Sequence, residues 1–166
     1  MKAIINFLLV LGVLVLGGFI VIYSGIYNIS MLNRDNPIIN NILDYAMTRS
    51  VQHHSRAISS PLLLDTNMIR AGQDRYQELC IYCHGAPGVE AGKIAAGLWP
   101  DAPNLAVAVP DWNAPQLFWM VKNGIKFSSM PAWGPTNSDD QIWELVAYLE
   151  QLPALSKARQ QNMERG

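Results

Sequence analysis

The stretch "LCIYCHGAPG", Leu79 to Gly88, holds both cysteines of this 166-residue chain, Cys80 and Cys83, and puts His84 directly after the second. Two thiols three residues apart, with an imidazole beside one of them, admit four readings: a redox disulfide, half of a zinc site, a covalently attached haem, or chance. A structural zinc site needs four protein ligands, commonly from paired C-x-x-C units. This chain has no further cysteine, and His53 and His54 lie across a break in pattern near Pro61. A thioredoxin-like C-x-x-C belongs on a βαβ scaffold, and no convincing strand pattern is visible. In C-x-x-C-H the two thiols can add across the two vinyl groups of one haem while the adjacent His reaches the iron, which is the reading the motif favours.

The opposite face of such an iron is commonly taken by a Met, whose thioether raises the potential. Three methionines lie downstream. Met120 sits inside "QLFWMVKNG" and reads as a helix-face residue, while Met163 lies in a polar tail. Met130 falls in "NGIKFSSMPAWG", an irregular segment after a helix stop, pinned by Pro131. Its position and surroundings make Met130 the candidate ligand, although most methionines simply fill gaps in cores.

Outward from the motif, the chain divides by composition. Ala3 to Tyr27 is a run of 25 residues without a charge. As a helix rising about 1.5 Å per residue it is long enough to cross a hydrocarbon core. The run is longer than the apolar part of a signal peptide, and no A-x-A-like cleavage site follows, so a retained anchor is expected over residues 1–29. Residues 30–62 are read as an amphipathic linker helix. Asp35 is its expected N-cap and Pro37 falls in its first turn. Ile38/Ile39, Ile42/Leu43, Ala46/Met47 and Val51 form its apolar stripe. Such a stripe can lie on a membrane surface or dock on a partner protein; with little positive charge beside it to attract anionic lipid, docking on a partner is the expectation. Residues 63–155 are read as a domain of short helices and 156–166 as a solvated polar tail. The first helix of the domain runs from about Thr66 into the cysteines. A Pro-rich loop follows, then a helix over Pro115–Asn123 stopped by Gly124, and a last helix opened by the capping box Ser138/Gln141. Pro153 is expected to end its regular part. The fold class is all-α. A formal charge of −1 gives no basic surface for nucleic acid.

The region from about Asn67 to Pro153 resembles a class I cytochrome c. Gly72 and Tyr76 fall where that family has a Gly and an aromatic on its N-terminal helix, and Leu145 and Tyr148 in "LVAYL" match its C-terminal helix. "PNL" (Pro103, Asn104, Leu105) and "GIKFSSMPAW" match two further family segments. The resemblance implies one haem c, covalent through Cys80 and Cys83, with His84 and Met130 as the iron ligands. It also implies that the Pro103 carbonyl fixes the tautomer of His84 and that Leu105 packs on the porphyrin. Gly72 would permit close contact between the two terminal helices. The N-terminal region, with Gly25, Tyr27 and Asn28 after the span, resembles membrane-anchored bacterial monohaem cytochromes.

A six-coordinate iron has no open position for substrate. The expected activity is therefore one-electron transfer to and from redox partner proteins, as the cytochrome subunit of a respiratory complex or as a tethered shuttle. A gas-binding haem sensor with a labile Met130 is the other class. The family attaches its haem on the outer face of the bacterial cytoplasmic membrane, which implies a periplasmic haem domain. Loop charge points the other way, since Lys2 precedes the span and Arg34, Arg49 and Arg56 follow it. Trp99, Trp112, Phe118, Trp119, Phe127 and Trp133 are candidate pocket residues and Lys126 a candidate propionate contact. His53 and His54 point in different directions on a helix and are read as solvent or docking residues, not ligands.

Overall fold

The computed structural model describes residues 1–33, 37–63 and 65–165. Asp35, the expected cap of the linker helix, lies outside the described residues. The chain divides into two units, Met1–Arg34 and Asp35–Gly166. The first is a single helix, α1 (Lys2–Ser24), ended by Gly25 in the left-handed conformation at φ 66°. All of its side chains are exposed, and it is long and apolar enough to cross a membrane.

The second unit is built of α2 (Pro37–His54), α3 (Thr66–Leu79), α4 (Ile81–His84), α5 (Leu105–Ala108), α6 (Ala114–Asn123), α7 (Asp139–Leu149) and α8 (Leu152–Arg165). Among the described residues there is no strand, only an isolated bridge between Ala86 and Val89. The chain is all-α. The stretch between the cysteines and α6 contains only α5 and two short 3₁₀ turns, Ala95–Gly97 and Val109–Asp111.

The core forms around the crossing of α3 and α7. α7 is buried over most of its length because Ile142, Leu145, Val146 and Leu149 recur at helical spacing. α3 is largely polar and buries only Gly72 and Tyr76, which are one turn apart. A Cβ at position 72 would run into the backbone carbonyl of Glu144, so only hydrogen fits between the helices there. Tyr76 packs beside Tyr148 with ring centroids 5.2 Å apart. The Glu144 carboxylate also accepts from Arg75 Nε at 2.8 Å. That pair is partly open to solvent and contributes less than about 1 kcal/mol. α6 covers the next side of α7, with Phe118 stacked on Trp143 at 4.3 Å.

Capping fixes where these helices begin. Asp65 accepts from Asn67 N–H at α3, and Ser138 with Gln141 forms the expected capping box at α7. A second capping box, Asn113 with Gln116, opens α6.

Two elements differ from the sequence reading. Pro153 does not close the last helix into a polar tail. α7 ends at Leu149, and residues 152–165 form α8, in which Pro153 occupies the first turn, where a missing N–H costs nothing. Leu152 is fully buried, and α8 packs on α5 and the Val109–Asp111 turn. α2, read as a linker with a boundary near Pro61, belongs to the second unit. Val51 is wholly buried in the common core, Met47 packs against that core, and His54 stacks on Trp119 of α6 at 5.6 Å with rings 10° from parallel. Half of the stripe assigned to a partner thus covers the chain's own domain.

Gly72→Ala is expected to destabilise the domain by about 1–3 kcal/mol, because α3 must move off α7. Denaturant unfolding of the haem-loaded protein checks this, and a change under about 0.5 kcal/mol would refute the close crossing.

Candidate haem-attachment site

α3 runs directly into the motif. Cys80 ends α3, and its carbonyl accepts from Cys83 N–H at 3.1 Å and from His84 N–H at 3.0 Å. Cys80, Cys83 and His84 thereby stand at i, i+3 and i+4 of one helical turn, the spacing that puts three side chains on one face. Gly85 stops the turn at φ 64°, and a Cβ there would come within 2.6 Å of the Val89 carbonyl. Tyr76, buried on α3, donates its hydroxyl to the Gly85 carbonyl at 2.7 Å. The residue that packs α3 on α7 therefore also holds the chain where it leaves His84.

The surroundings of Cys80 disfavour thiolate chemistry. Both cysteines are free. Burial, and then the neighbouring Cys83, push the Cys80 thiol up to about 12. Reactive and metal-binding cysteines have the opposite character, a lowered pKa at a helix N-terminus or beside a cation. Among the described residues no cluster of three or more His, Cys, Asp or Glu side chains is placed to hold a metal ion.

His84 is held as a neutral donor. Burial lowers its pKa, and a hydrogen bond to the Pro103 carbonyl pulls in the other direction. Nδ1 lies 2.8 Å from that oxygen and, as a carbonyl can only accept, Nδ1 carries the proton. Nε2 keeps its lone pair for a metal, the usual arrangement for a ligating His whose other nitrogen is tied to a carbonyl. The carbonyl is positioned by Asn104, the cap of α5, whose side chain accepts from Ala106 N–H at 3.0 Å. Leu105, the first residue of α5, packs half-buried on the core cluster together with Cys80.

Met130 also packs half-buried on that cluster, in a loop tied back to α6. Its N–H donates to Ser128 Oγ at 3.1 Å, and its carbonyl accepts from Ile125 N–H at 3.3 Å. Trp133 N–H donates to the Val121 carbonyl at 3.1 Å and Gly134 N–H to that of Lys122 at 2.9 Å. Gly124, at φ 67°, passes so close to Pro131 and Ala132 that a Cβ would lie 2.7 Å from both. The loop thus holds a thioether at a set place instead of leaving it on a mobile segment. Met120 is buried in the core and Met163 is exposed on α8.

The aromatic candidates separate by environment. Phe118 and Trp119 are occupied by Trp143 and His54. Trp112 and Trp133 are half-buried against the core cluster, Trp99 is half-buried, and Phe127 is 77% exposed. Lys126 is exposed and lines a groove between α2 and the loop after α6. Sequence reasoning missed the Tyr76 hydroxyl bond and the His54–Trp119 stack. Tyr76 carried a signal, an aromatic four residues before the first cysteine, but a stack between separate helices leaves none.

The donor set fits a covalently held haem. Two free thiols and an imidazole with a free Nε2 share one face, and a pinned thioether packs on the same core. Residues 67–149, half of the chain, match the family model described as cytochrome C oxidase, cbb3-type, subunit III. No curated protein and no solved structure matches the chain.

Tyr76→Phe removes a side-chain donor to the Gly85 carbonyl and is expected to cost about 1–3 kcal/mol. Burial raises the Tyr76 pKa well above its ordinary 10. Above pH 10 the unfolded chain therefore releases a proton that the folded chain retains, and stability falls as pH rises. Unfolding measured against pH should show a shallower alkaline decline in Tyr76→Phe than in the wild type.

Proposed function

Because this chain belongs to the cytochrome c family defined by the cbb3-type oxidase subunit III domain, we propose that it is a membrane-anchored one-electron carrier holding one haem c. Family membership implies covalently bound haem c. The observation that carries the residue assignment is the single turn on which Cys80, Cys83 and His84 share a face, with His84 Nδ1 bonded to Pro103.

In this reading Cys80 and Cys83 would hold the macrocycle through two thioethers, and His84 Nε2 and Met130 Sδ would bind its iron. When bound, the haem iron supplies a centre that accepts and releases one electron. The protein's part is to keep that centre closed and dry. Pro103 holds His84 in one tautomer, and the loop bonded to Val121 and Lys122 holds Met130. With both side chains bound to the iron no place would be left for a substrate, and activity would be limited to exchange with redox partners. Leu105, Trp112, Ile125 and Trp133, half-buried on the core cluster, would keep water from the site and favour the less charged reduced form.

α1 serves as the anchor, and we place the haem domain on the periplasmic side of a bacterial cytoplasmic membrane. The description of the matching family supports a role beside other subunits of a membrane electron-transfer complex.

Denaturing electrophoresis with haem staining should show a stained chain near 18.4 kDa in the wild type and none in a Cys80→Ala/Cys83→Ala double variant. A wild-type chain that loses its haem on denaturation would refute covalent attachment. The reduced wild type should refuse carbon monoxide near neutral pH, whereas Met130→Ala should bind it rapidly and completely. Rapid binding by the wild type would make the protein a gas-binding one.

A further inference from the structure

α2 is apolar on two opposite sides. Leu43, Met47 and Val51 share the side that faces Trp119 and Ile125. Residues 38, 42, 45 and 49 recur at helical spacing on the other side. They are Ile38, Ile42, Tyr45 and Arg49, with Ile42 at 62% and Tyr45 at 69% exposure. No part of the domain covers these two side chains.

We propose that this outward stripe of α2 lies in the lipid–water interface of the membrane that α1 crosses. The inference rests on the reading of α1 as an anchor, and three observations carry it. No charged residue occurs between Lys2 and Arg34. A span of about 20 residues is already met by α1, yet Ile26, Tyr27, Ile29, Met31 and Leu32 continue the apolar character beyond it, all exposed. A bilayer surface accommodates such a continuation by burying it.

The second observation is the order of the stripe. Moving away from the anchor it reads Ile38, Ile42, Tyr45, Arg49, which is apolar, then aromatic with a polar tip, then cationic. That is the sequence of depths met by a helix entering an interface by its N-terminal end, with Tyr at the headgroups and Arg reaching outward. Arg49 Nη1 donates to Gln52 Oε1 at 3.2 Å, one turn further along α2.

The third is charge. Asp44 and Arg49 are the only formally charged residues of α2 and cancel. Attraction to anionic lipid is therefore absent, and the driving force is apolar burial, which a zwitterionic bilayer supplies.

The test uses the full haem-loaded chain in phosphatidylcholine nanodiscs. p-Acetylphenylalanine replaces Val15, Ile42 or Gln160 in turn and is coupled to a ketone-reactive nitroxide, so the cysteines play no part. Spin relaxation by oxygen, which concentrates in lipid, is compared with relaxation by nickel-EDDA, which stays in water. Position 15 lies in α1, and position 160 is an exposed site on α8. The oxygen-to-nickel ratio at position 42 is expected to be several-fold above that at 160 and to approach that at 15. A ratio at 42 equal to that at 160 overturns the inference while leaving the anchor intact. Exclusion of both relaxants from 42 also overturns it, because a second copy or a partner protein would then cover the stripe. A water-like ratio at 15 removes the anchor and the inference together.

Discussion

The structure depends on one close approach, the passage of α3 over α7 at Gly72, where the hydrogen of a glycine meets the carbonyl of Glu144. At that separation the two helices cannot slide, since interiors are packed like crystals and yield little to displacement. The position of α3 fixes the position of its last residue, Cys80, and one further turn delivers Cys83 and His84. α7 fixes α6 through Phe118 and Trp143, and α6 in turn provides the carbonyls that tie down the Met130 loop. The two halves of the candidate iron site thus descend from the same contact by separate routes. Tyr76 serves both the contact and the site, packing on Tyr148 and bonding the turn that follows His84.

Much of this was legible in the residues, and the reasons are local. α3 begins at Thr66 because Asp65 caps it, and α7 begins at Asp139 because Ser138 and Gln141 close a capping box. Such signals need only neighbours in sequence. The C-x-x-C-H turn is legible for the same reason, since its geometry is that of one helical turn. What escaped reading depends on distant partners. Pro153 marks a boundary in either direction, and only the burial of Leu152 against α5 and its neighbours decides that a new helix begins there. The α2 stripe was visible as a periodicity, but which side of α2 meets the domain and which meets something else is decided by Trp119 on another helix.

The site joins features that would be in conflict elsewhere. A buried, protonated thiol is a poor redox group, and a buried neutral imidazole is a poor acid. Here the same burial would suit residues that, in the proposed function, are consumed in bonds to a macrocycle and its metal. The bond to the Pro103 carbonyl opposes the effect of burial on His84 and fixes which nitrogen holds the proton. Pro103 and the capped α5 show how a short loop helix can set the tautomer of a histidine without entering the core.

The packing of α2 onto α6 also changes what kind of tether this is. Only the 12 residues between Ser24 and Pro37 are left to connect α1 to the folded unit, with a contour of about 40 Å at most. With α1 as the proposed anchor, an electron carrier on such a lead would stay near the bilayer, and its encounters with redox partners held in the same membrane would become a search in two dimensions. Binding surfaces with weak intrinsic affinity then suffice, and weak binding lets the oxidised or reduced product depart quickly. A short lead thus favours rapid exchange over tight docking.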